Sequence, residues 1–268
     1  MTDDRNAAEP ASKIDTTVSH SARIWNYWLG GKDNFAVDRE IGDQFCELFP
    51  DIVPIARGSR EFLARAVTYL AGEAGIRQFL DIGTGLPTAD NTHEVALRTA
   101  PDAKIVYVDN DPMVLAHARA LLVGSTEYLD ADLHQPEQIL AAAGRTTLDL
   151  TRPVGLILMN ILGHVGDLDQ ARSIVTRLLA GLPSGSYLVI ADGTNVVDGP
   201  AFERAMTVWN ASGSLSYHLR SPQQLAAFFT GLELVAPGLV SCPRWRPPVA
   251  AGPSPAEVDE FGGVGRKP

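Results

Sequence analysis

Acidic side chains end several strand-like segments of this chain, and the first such segment leads into a glycine-rich turn. In FLDIGTGLPT (79–88), an apolar run ends at Asp81 and is followed by Gly83 and Gly85. Glycines after a strand allow a sharp bend and let a ligand approach the backbone closely. The pattern favours a small-molecule site at the carboxyl edge of a sheet, and a tight connection without a ligand is the alternative.

The second segment, KIVYVDND (104–111), ends with two aspartates. Asp109 follows the glycine turn at roughly the separation of about 20 residues that is expected for an acid accepting hydrogen bonds from both ribose hydroxyls. Asp111 is better explained as the cap of the following helix, because Pro112 suits a first helical position. We therefore predict that Asp109 binds a ribose.

The third segment, TEYLDADL (126–133), offers a possible base-binding pair. Asp132 could accept a hydrogen bond from an adenine amino group while Leu133 covers the face of the ring, and a purely structural role fits these two residues equally well. A dinucleotide fingerprint would place a third glycine where this chain has Thr88. That difference disfavours a nicotinamide-dependent oxidoreductase.

A histidine follows the fourth segment. His164, in MNILGHVGD, has an unperturbed pKa of about 6.5, which suits proton removal near neutral pH. We predict it as the catalytic base, and a solvated or structural loop histidine is the alternative. No GxSxG elbow follows a strand, and no clustered carboxylates and histidines have metal-ligand spacing. We therefore predict neither a serine nucleophile nor a metal site.

Strand-like and helical patterns alternate from residue 59 to residue 193, which predicts a doubly wound α/β sheet. The five predicted strands cover 76–83, 104–110, 126–133, 154–161 and 186–193. Their nearly continuous apolar character indicates burial on both faces, as in parallel sheets. Beyond them, 214–221 and 232–240 are predicted as two final strands around a helix at 222–229.

The stretch WNYWLGGKDNF (25–35) precedes all of these strands. It lies in the first of two amphipathic helical patterns, and we predict that these helices form a lid over the open edge of the sheet. The alternative is that Trp25 and Trp28 belong to the core and the basic turn is solvated. The residues of the lid predicted to face the ligand are Tyr27, Gly31, Lys32 and Asn34.

The predicted organisation is a single α/β domain with additions at both ends. Residues 1–19 are predicted as a disordered tail, 20–56 as the N-terminal helical lid, 57–246 as the binding domain and 247–268 as a Pro/Gly-rich tail. These boundaries follow the distribution of apolar periodicity along the chain.

Composition narrows the expected partners and location. The 268 residues carry a formal net charge of −10, which disfavours nonspecific binding to nucleic acid. The two cysteines lack CxxC spacing, as expected in a reducing cytoplasm, and no apolar run has the length of a membrane span. We therefore predict a cytoplasmic protein with a small-molecule partner and no membrane association.

Together, DIGTG and the acids after the second and third strands resemble the class I S-adenosylmethionine-dependent methyltransferases. More narrowly, LGGKDNF, VYVDNDP, PRWRP and GGVGRKP resemble an actinobacterial group of S-adenosyl methyltransferases formerly catalogued as a domain of unknown function. The likeness extends from about residue 21 to residue 268. It implies a methyltransferase, with a noncatalytic sensor of S-adenosylmethionine or S-adenosylhomocysteine as the alternative.

The resemblance implies a Rossmann-like, seven-stranded and mostly parallel sheet with an antiparallel last strand. S-adenosyl-L-methionine would lie across its carboxyl edge, with Asp81 at the methionine amino group and Asp109 at the ribose hydroxyls. By position, the other implied contacts are Gly83, Thr84 and Gly85 for methionine and ribose, Asn110, Asp132 and Leu133 for adenine, and Asn160 for the methionyl end.

Overall fold

One mixed sheet forms the centre of the computed structural model, which describes residues 15–121, 126–211, 215–248 and 254–268. Its strands are β1 (Gln78–Ile82), β2 (Lys104–Asp109), β3 (Thr126–Asp130), β4 (Gly155–Met159), β5 (Tyr187–Gly193), β6 (Glu233–Leu234), β7 (Val240–Ser241) and β8 (Glu260–Arg266). The order is β3-β2-β1-β4-β5-β8-β6, and β7 pairs with β8 off this path. Strands β1 to β5 are parallel and β8 runs antiparallel to β5. The predicted fold class is confirmed.

Helices cover both faces of the sheet and one of its edges. They are α1 (Ser21–Trp28), α2 (Ala36–Leu48), α3 (Ile52–Gly72), α4 (Thr92–Thr99), α5 (Pro112–Leu121), α6 (Pro136–Ala143), α7 (Leu168–Ala180), α8 (Gly199–Ala211) and α9 (Pro222–Ala226). Side chains alternate along each strand, so Phe79 packs with α3 and α4 while Leu80 packs with α6 and α7. None of the described helices combines the length and apolar character needed to cross a bilayer.

A separate apolar cluster joins α1, α2 and the start of α3 to α8. Trp28 lies 5.3 Å from Phe45 and 6.1 Å from Trp209, measured between ring centroids. Phe49 stacks on Phe202 at 4.5 Å. Because aromatic pairs add to the stabilisation from buried area, this cluster attaches the N-terminal helices firmly to α8.

The predicted C-terminal tail is wrong for residues 260–266, which form β8 beside β5 in the sheet. Glycine there reflects close packing: a Cβ added to Gly262 would come within 2.8 Å of the Phe62 ring, and one added to Gly265 within 2.8 Å of Phe229. In the sequence, these glycines are typical of a flexible segment. In the structure, they let other side chains pack close to the strand.

The structure differs from two other predictions, one of a strand and one of a domain boundary. The predicted strand at 214–221 has no strand conformation in its described part, 215–221, and β8 takes its place next to β5. The predicted lid boundary after residue 56 falls inside α3, which is continuous from Ile52 to Gly72. Residues 1–14 of the predicted N-terminal tail lie outside the described residues.

Candidate active site

A cavity of about 490 Å³ opens at the carboxyl ends of β1, β2 and β4. Residues that follow these strands line one part of it, and helices α1, α2, α3 and α8 line the other. In open α/β sheets, ligands bind at this edge, and the volume lies within the range of about 300–1,000 Å³ typical of small-molecule sites. Of the site residues predicted from the sequence, those that line the cavity are Asp81, Gly83, Thr84, Gly85, Asp109, Asn110, Asn160 and His164.

The turn after β1 has two glycines in left-handed backbone conformations. Gly83 has φ +75° and donates a hydrogen bond from its N–H to the Val108 carbonyl at 2.8 Å. A Cβ at Gly83 would come within 2.5 Å of Ile161, whereas one at Gly85, with φ +61°, would have only Ala22 nearby at 3.9 Å. Gly83 therefore permits close packing against the β4 loop, and Gly85 leaves open space under α1.

The Asp109 carboxylate organises the end of β2. Oδ2 accepts a hydrogen bond from the Gly85 N–H at 3.0 Å, and Oδ1 accepts one from the Asp111 N–H at 3.0 Å. Burial raises the pKa of Asp109, while these backbone donors oppose that rise. An ionised carboxylate has about four acceptor sites, so each oxygen retains capacity for a further donor. Asp109 can therefore bind a pair of hydroxyl groups.

Asp81 and Arg60 form the charged floor of the cavity. Asp81 Oδ2 accepts a hydrogen bond from Thr92 Oγ1 at 2.6 Å, and burial raises the pKa of Asp81 to about 6. Burial lowers the pKa of Arg60, with the Asp81 charge acting against that effect. Within the described residues, the Arg60 guanidinium has neither a hydrogen bond nor an ion pair. A cation and a carboxylate here complement a bound zwitterion.

Arg60 is not among the site residues predicted from the sequence, although the sequence carries a signal for it. The buried stripe of α3 includes Ala56, Leu63 and Val67, and Ser59 and Arg60 occupy the same stripe between them. A charged side chain on an otherwise buried stripe indicates either a buried ion pair or a ligand contact. At Arg60, no ion pair with another described residue accounts for the charge.

Asn160 connects the end of β4 to two distant parts of the chain. Its backbone is left-handed, with φ +54°, and its Nδ2 donates to Ser59 Oγ at 2.9 Å and to Glu260 Oε1 at 3.1 Å. Glu260, the first residue of β8, is fully buried, and burial raises its pKa to about 8. The cavity floor therefore depends on β8 through an acid that is largely protonated at neutral pH.

A second buried acid lies beside this contact. The Tyr217 hydroxyl donates a hydrogen bond to Asp192 Oδ1 and accepts one from the Gly193 N–H at 3.0 Å. Burial raises the pKa of Asp192 to about 6 and that of Tyr217 well above its usual value. The phenol therefore keeps its proton and holds the 215–217 segment against the end of β5.

His164 lies in a single 3-10 turn, Leu162–His164, just after β4. Its Nδ1 is 2.8 Å from the Ser216 carbonyl oxygen, and its ring contacts Tyr217 edge to face at 5.1 Å. A carbonyl can only accept, so the geometry assigns the proton to Nδ1 and leaves Nε2 with a lone pair. Burial lowers the pKa of His164, and nearby His20 and His218 lower it further. The neutral imidazole can therefore accept a proton at Nε2.

Six predicted contacts are not among the residues that line the cavity. Asp132 accepts from the His134 N–H at 2.9 Å, and Leu133 packs in the core below the sheet. In the N-terminal turn, the Tyr27 hydroxyl donates to Asp43 at 2.7 Å, Gly31 packs against Asn26 and Lys32 is exposed. Tyr27, Gly31, Lys32 and Asn34, which are predicted to face a ligand, are not among the residues that line the cavity.

Helix α1 nevertheless covers the cavity through a different face, formed by Ser21, Ala22, Trp25 and Trp28. Two polar contacts hold the start of this helix in place. His20 Nε2 lies 3.1 Å from Asp111 Oδ2, and the buried Arg23 guanidinium lies 2.8 Å from Asp38 Oδ2. The predicted lid position therefore agrees with the structure, although the residues that contact the cavity differ from those predicted.

A sheet of this order, with one antiparallel strand inserted before β6 and a carboxylate beyond β2, is the arrangement of the class I S-adenosylmethionine-dependent methyltransferases. The residues present fit that cofactor, since Asp109 has spare acceptor capacity for a diol and the Arg60 guanidinium has no hydrogen-bond partner among the described residues. The model of the S-adenosyl methyltransferase family matches residues 7–268, and the chain belongs to this family. It is accordingly an enzyme that uses S-adenosylmethionine.

Solved structures agree with this assignment. A DUF574 family protein from Streptomyces avermitilis is 44% identical, with a TM-score of 0.90 over 96% of this chain and 100% of the other. A Thermobifida fusca protein, assigned only provisionally as a methyltransferase, is 37% identical, with a TM-score of 0.89 over 97% and 99%.

More distant likeness extends to the fold alone. An O-methyltransferase family 2 protein from Planctomyces limnophilus is 18% identical, with a TM-score of 0.52 over 85% of this chain and 61% of the other. None of the curated proteins searched matches this chain.

Proposed function

We infer that the enzyme methylates a hydroxyl group of a small molecule, with His164 as the general base. The observation that carries this inference is the position of His164, which lines the cavity with its Nδ1 2.8 Å from the Ser216 carbonyl oxygen. Since that carbonyl can only accept, Nδ1 donates and Nε2 keeps the lone pair that a base needs. The net charge of −10 and the cavity volume of about 490 Å³ support a small acceptor over a nucleic acid.

The cofactor is assigned to the part of the cavity at the sheet edge. Asp109 would accept from both ribose hydroxyls, Asp81 would accept from the methionine ammonium and Arg60 would donate to the carboxylate. Thr84 and the two glycines of the turn would border the methionine and ribose, Asn110 the adenine and Asn160 the methionyl end. Asp132 and Leu133 are not part of this assignment, because neither lines the cavity.

When bound, S-adenosylmethionine would supply an electrophilic methyl group to the acceptor oxygen, with its sulfur as the leaving group. His164 Nε2 would accept the proton from the acceptor hydroxyl. The α1 and α8 helices would shield the reacting groups from water, and correct alignment in such sites contributes up to roughly 7–11 kcal/mol.

A labelled-methyl transfer assay tests this function. The enzyme is incubated with tritiated S-adenosylmethionine and a small-molecule extract of the source cell, and we expect label in a solvent-extractable product. His164→Gln should slow the transfer without changing the affinity for S-adenosylhomocysteine. Label only in protein or nucleic acid, or unchanged transfer by the variant, would contradict the proposal.

The protonation state of His164 can be measured directly. Because burial and two neighbouring histidines disfavour the imidazolium, we expect an NMR titration to give His164 a pKa below 6.5. Nitrogen shifts should report the proton on Nδ1 at pH 7.5. A pKa above 6.5, or a proton on Nε2, would remove the structural basis for the base role.

Arg60→Ala should raise the dissociation constant of S-adenosylhomocysteine about tenfold, because a hydrogen bond to a charged group contributes roughly 1.5–3 kcal/mol. The affinity for 5′-methylthioadenosine, which lacks the amino-acid part, should not change. Calorimetry measures both ligands, and Arg57→Ala, at an exposed position on the same helix, is the matched control. An equal loss for both ligands would place Arg60 elsewhere than at the carboxylate.

A further inference from the structure

We propose that the part of the cavity enclosed by α1, α2, α3 and α8 binds the methyl acceptor, and that this acceptor is an uncharged, apolar molecule with a flat ring system. The proposal rests on the proposed function and specifies its substrate class. Its basis is the contrast between the two parts of one cavity.

The walls of the acceptor part are apolar and fixed by mutual packing. Phe45, Phe202 and Trp209 are each less than 10% exposed to solvent, yet all three line the cavity. The Phe45 and Trp209 ring centroids are 5.7 Å apart at nearly right angles, so the rings hold each other in position. Met206, from the next turn of α8, lines the same space and its flexible thioether can adapt to a bound ring.

Charge is confined to the cofactor part. Among the described residues that line the cavity, those from α1, α2 and α8 include no Asp, Glu, Lys or Arg. The one charged group that α3 supplies is Arg60, which lies beside Asp81 at the sheet edge. A charged acceptor would lose its hydration without gaining a partner, and burying an unpaired charge is strongly unfavourable. The enclosure therefore selects uncharged molecules.

His164, the proposed base, lies where the cofactor part and the acceptor part of the cavity meet. Tyr217 packs against the apolar cluster of α1, α2 and α8, and its ring contacts His164 at 5.1 Å. The Tyr217 hydroxyl is held by Asp192 and the Gly193 N–H, so the ring is fixed in place. An apolar acceptor in the enclosed part can thus present a single hydroxyl to His164 while its rings contact Phe45 and Trp209.

Binding of small aromatic probes tests the proposal without an activity assay. With S-adenosylhomocysteine saturating, calorimetry at pH 7.5 compares 2-naphthol, which is neutral, with 2-naphthoate, which is anionic. We expect 2-naphthol to bind the wild-type enzyme at least tenfold more tightly than 2-naphthoate. Equal affinity for the two probes, or no binding of 2-naphthol, would overturn the proposal.

Substitutions that fill the acceptor part of the cavity should weaken probe binding without affecting the cofactor. Met206→Trp is expected to weaken 2-naphthol binding at least tenfold, and Val208→Trp, at an exposed position on the same helix, should leave it unchanged. Unchanged S-adenosylhomocysteine binding in both variants shows that they are folded. If Met206→Trp does not fold, Leu215→Trp provides a second test, because Leu215 lines the cavity yet is 59% exposed.

The outcomes separate this proposal from the proposed function. Undiminished 2-naphthol binding by the folded filling variant overturns the acceptor site but leaves the cofactor assignment intact. Failure of the wild-type enzyme to bind S-adenosylhomocysteine would instead contradict the cofactor assignment itself.

Discussion

Replacing Asp109 by alanine should raise the dissociation constant of S-adenosylhomocysteine at least a hundredfold. The carboxylate would accept two hydrogen bonds from the ribose diol, and hydrogen bonds to a charged group each contribute roughly 1.5–3 kcal/mol. The same carboxylate holds the Gly85 and Asp111 N–H groups, so its removal also loosens the turn that contacts the cofactor. Both effects lower affinity.

Calorimetry with two controls tests whether the lost hydrogen bonds to the ribose diol cause the weaker binding. Asp130, which pairs in register with Asp109 on the neighbouring strand, is exposed, and Asp130→Ala should leave affinity unchanged. The wild-type enzyme should prefer 5′-methylthioadenosine over its 2′-deoxy analogue, and Asp109→Ala should lose that preference. A folded Asp109→Ala enzyme that keeps the wild-type dissociation constant would refute the assignment.

Glu260→Gln should change how stability depends on pH. Burial raises the pKa of Glu260 from 4.5 to about 8 in the folded chain. Between these values the folded state binds a proton that the unfolded state releases, so this group's contribution is present at low pH and is lost as pH rises through about 8. With about 1.4 kcal/mol per pKa unit, the loss between pH 6 and pH 8 is about 2 kcal/mol.

Urea unfolding at pH 6 and pH 8 measures this contribution. Because glutamine does not titrate, the stability of Glu260→Gln relative to wild type should increase by about 2 kcal/mol from pH 6 to pH 8. Asp192, whose pKa is raised to about 6, has the same sign but acts mostly at lower pH, and it is common to both proteins. Glu233→Gln, at an exposed site on β6, is the control. A difference independent of pH would contradict the buried, protonated state of Glu260.

Local patterns in the sequence predicted the first five strands well, and the predicted glycine turn and Asp109 line the cavity. Strands β1, β2, β4 and β5 are largely apolar runs, and Asp109 and the glycine turn lie close in sequence to the strand ends that place them. The C-terminal strand was missed because its glycines resemble those of a flexible tail, whereas their function depends on Phe62 and Phe229, which lie far away in the sequence.

Contacts between distant residues explain the remaining differences. The Asn160–Glu260 hydrogen bond joins positions 100 residues apart, and Arg60 reaches the cavity only because α3 packs across the sheet edge. Helical periodicity correctly predicted that α1 is amphipathic. Periodicity alone, however, does not indicate which neighbouring element each face of the helix contacts. The face with Ala22 and Trp25 meets the cavity, and Tyr27 pairs with α2.

The position of β8 between β5 and β6 has a consequence for synthesis on the ribosome. Residues 260–266 emerge from the exit tunnel after all the parallel strands, so the nascent chain carries β5 with an unpaired edge until they arrive. Such edges promote association between chains, and a growing polypeptide in this state is a natural client for chaperones. The cavity floor therefore cannot be completed until residue 260 has left the tunnel, because Glu260 accepts a hydrogen bond there from Asn160.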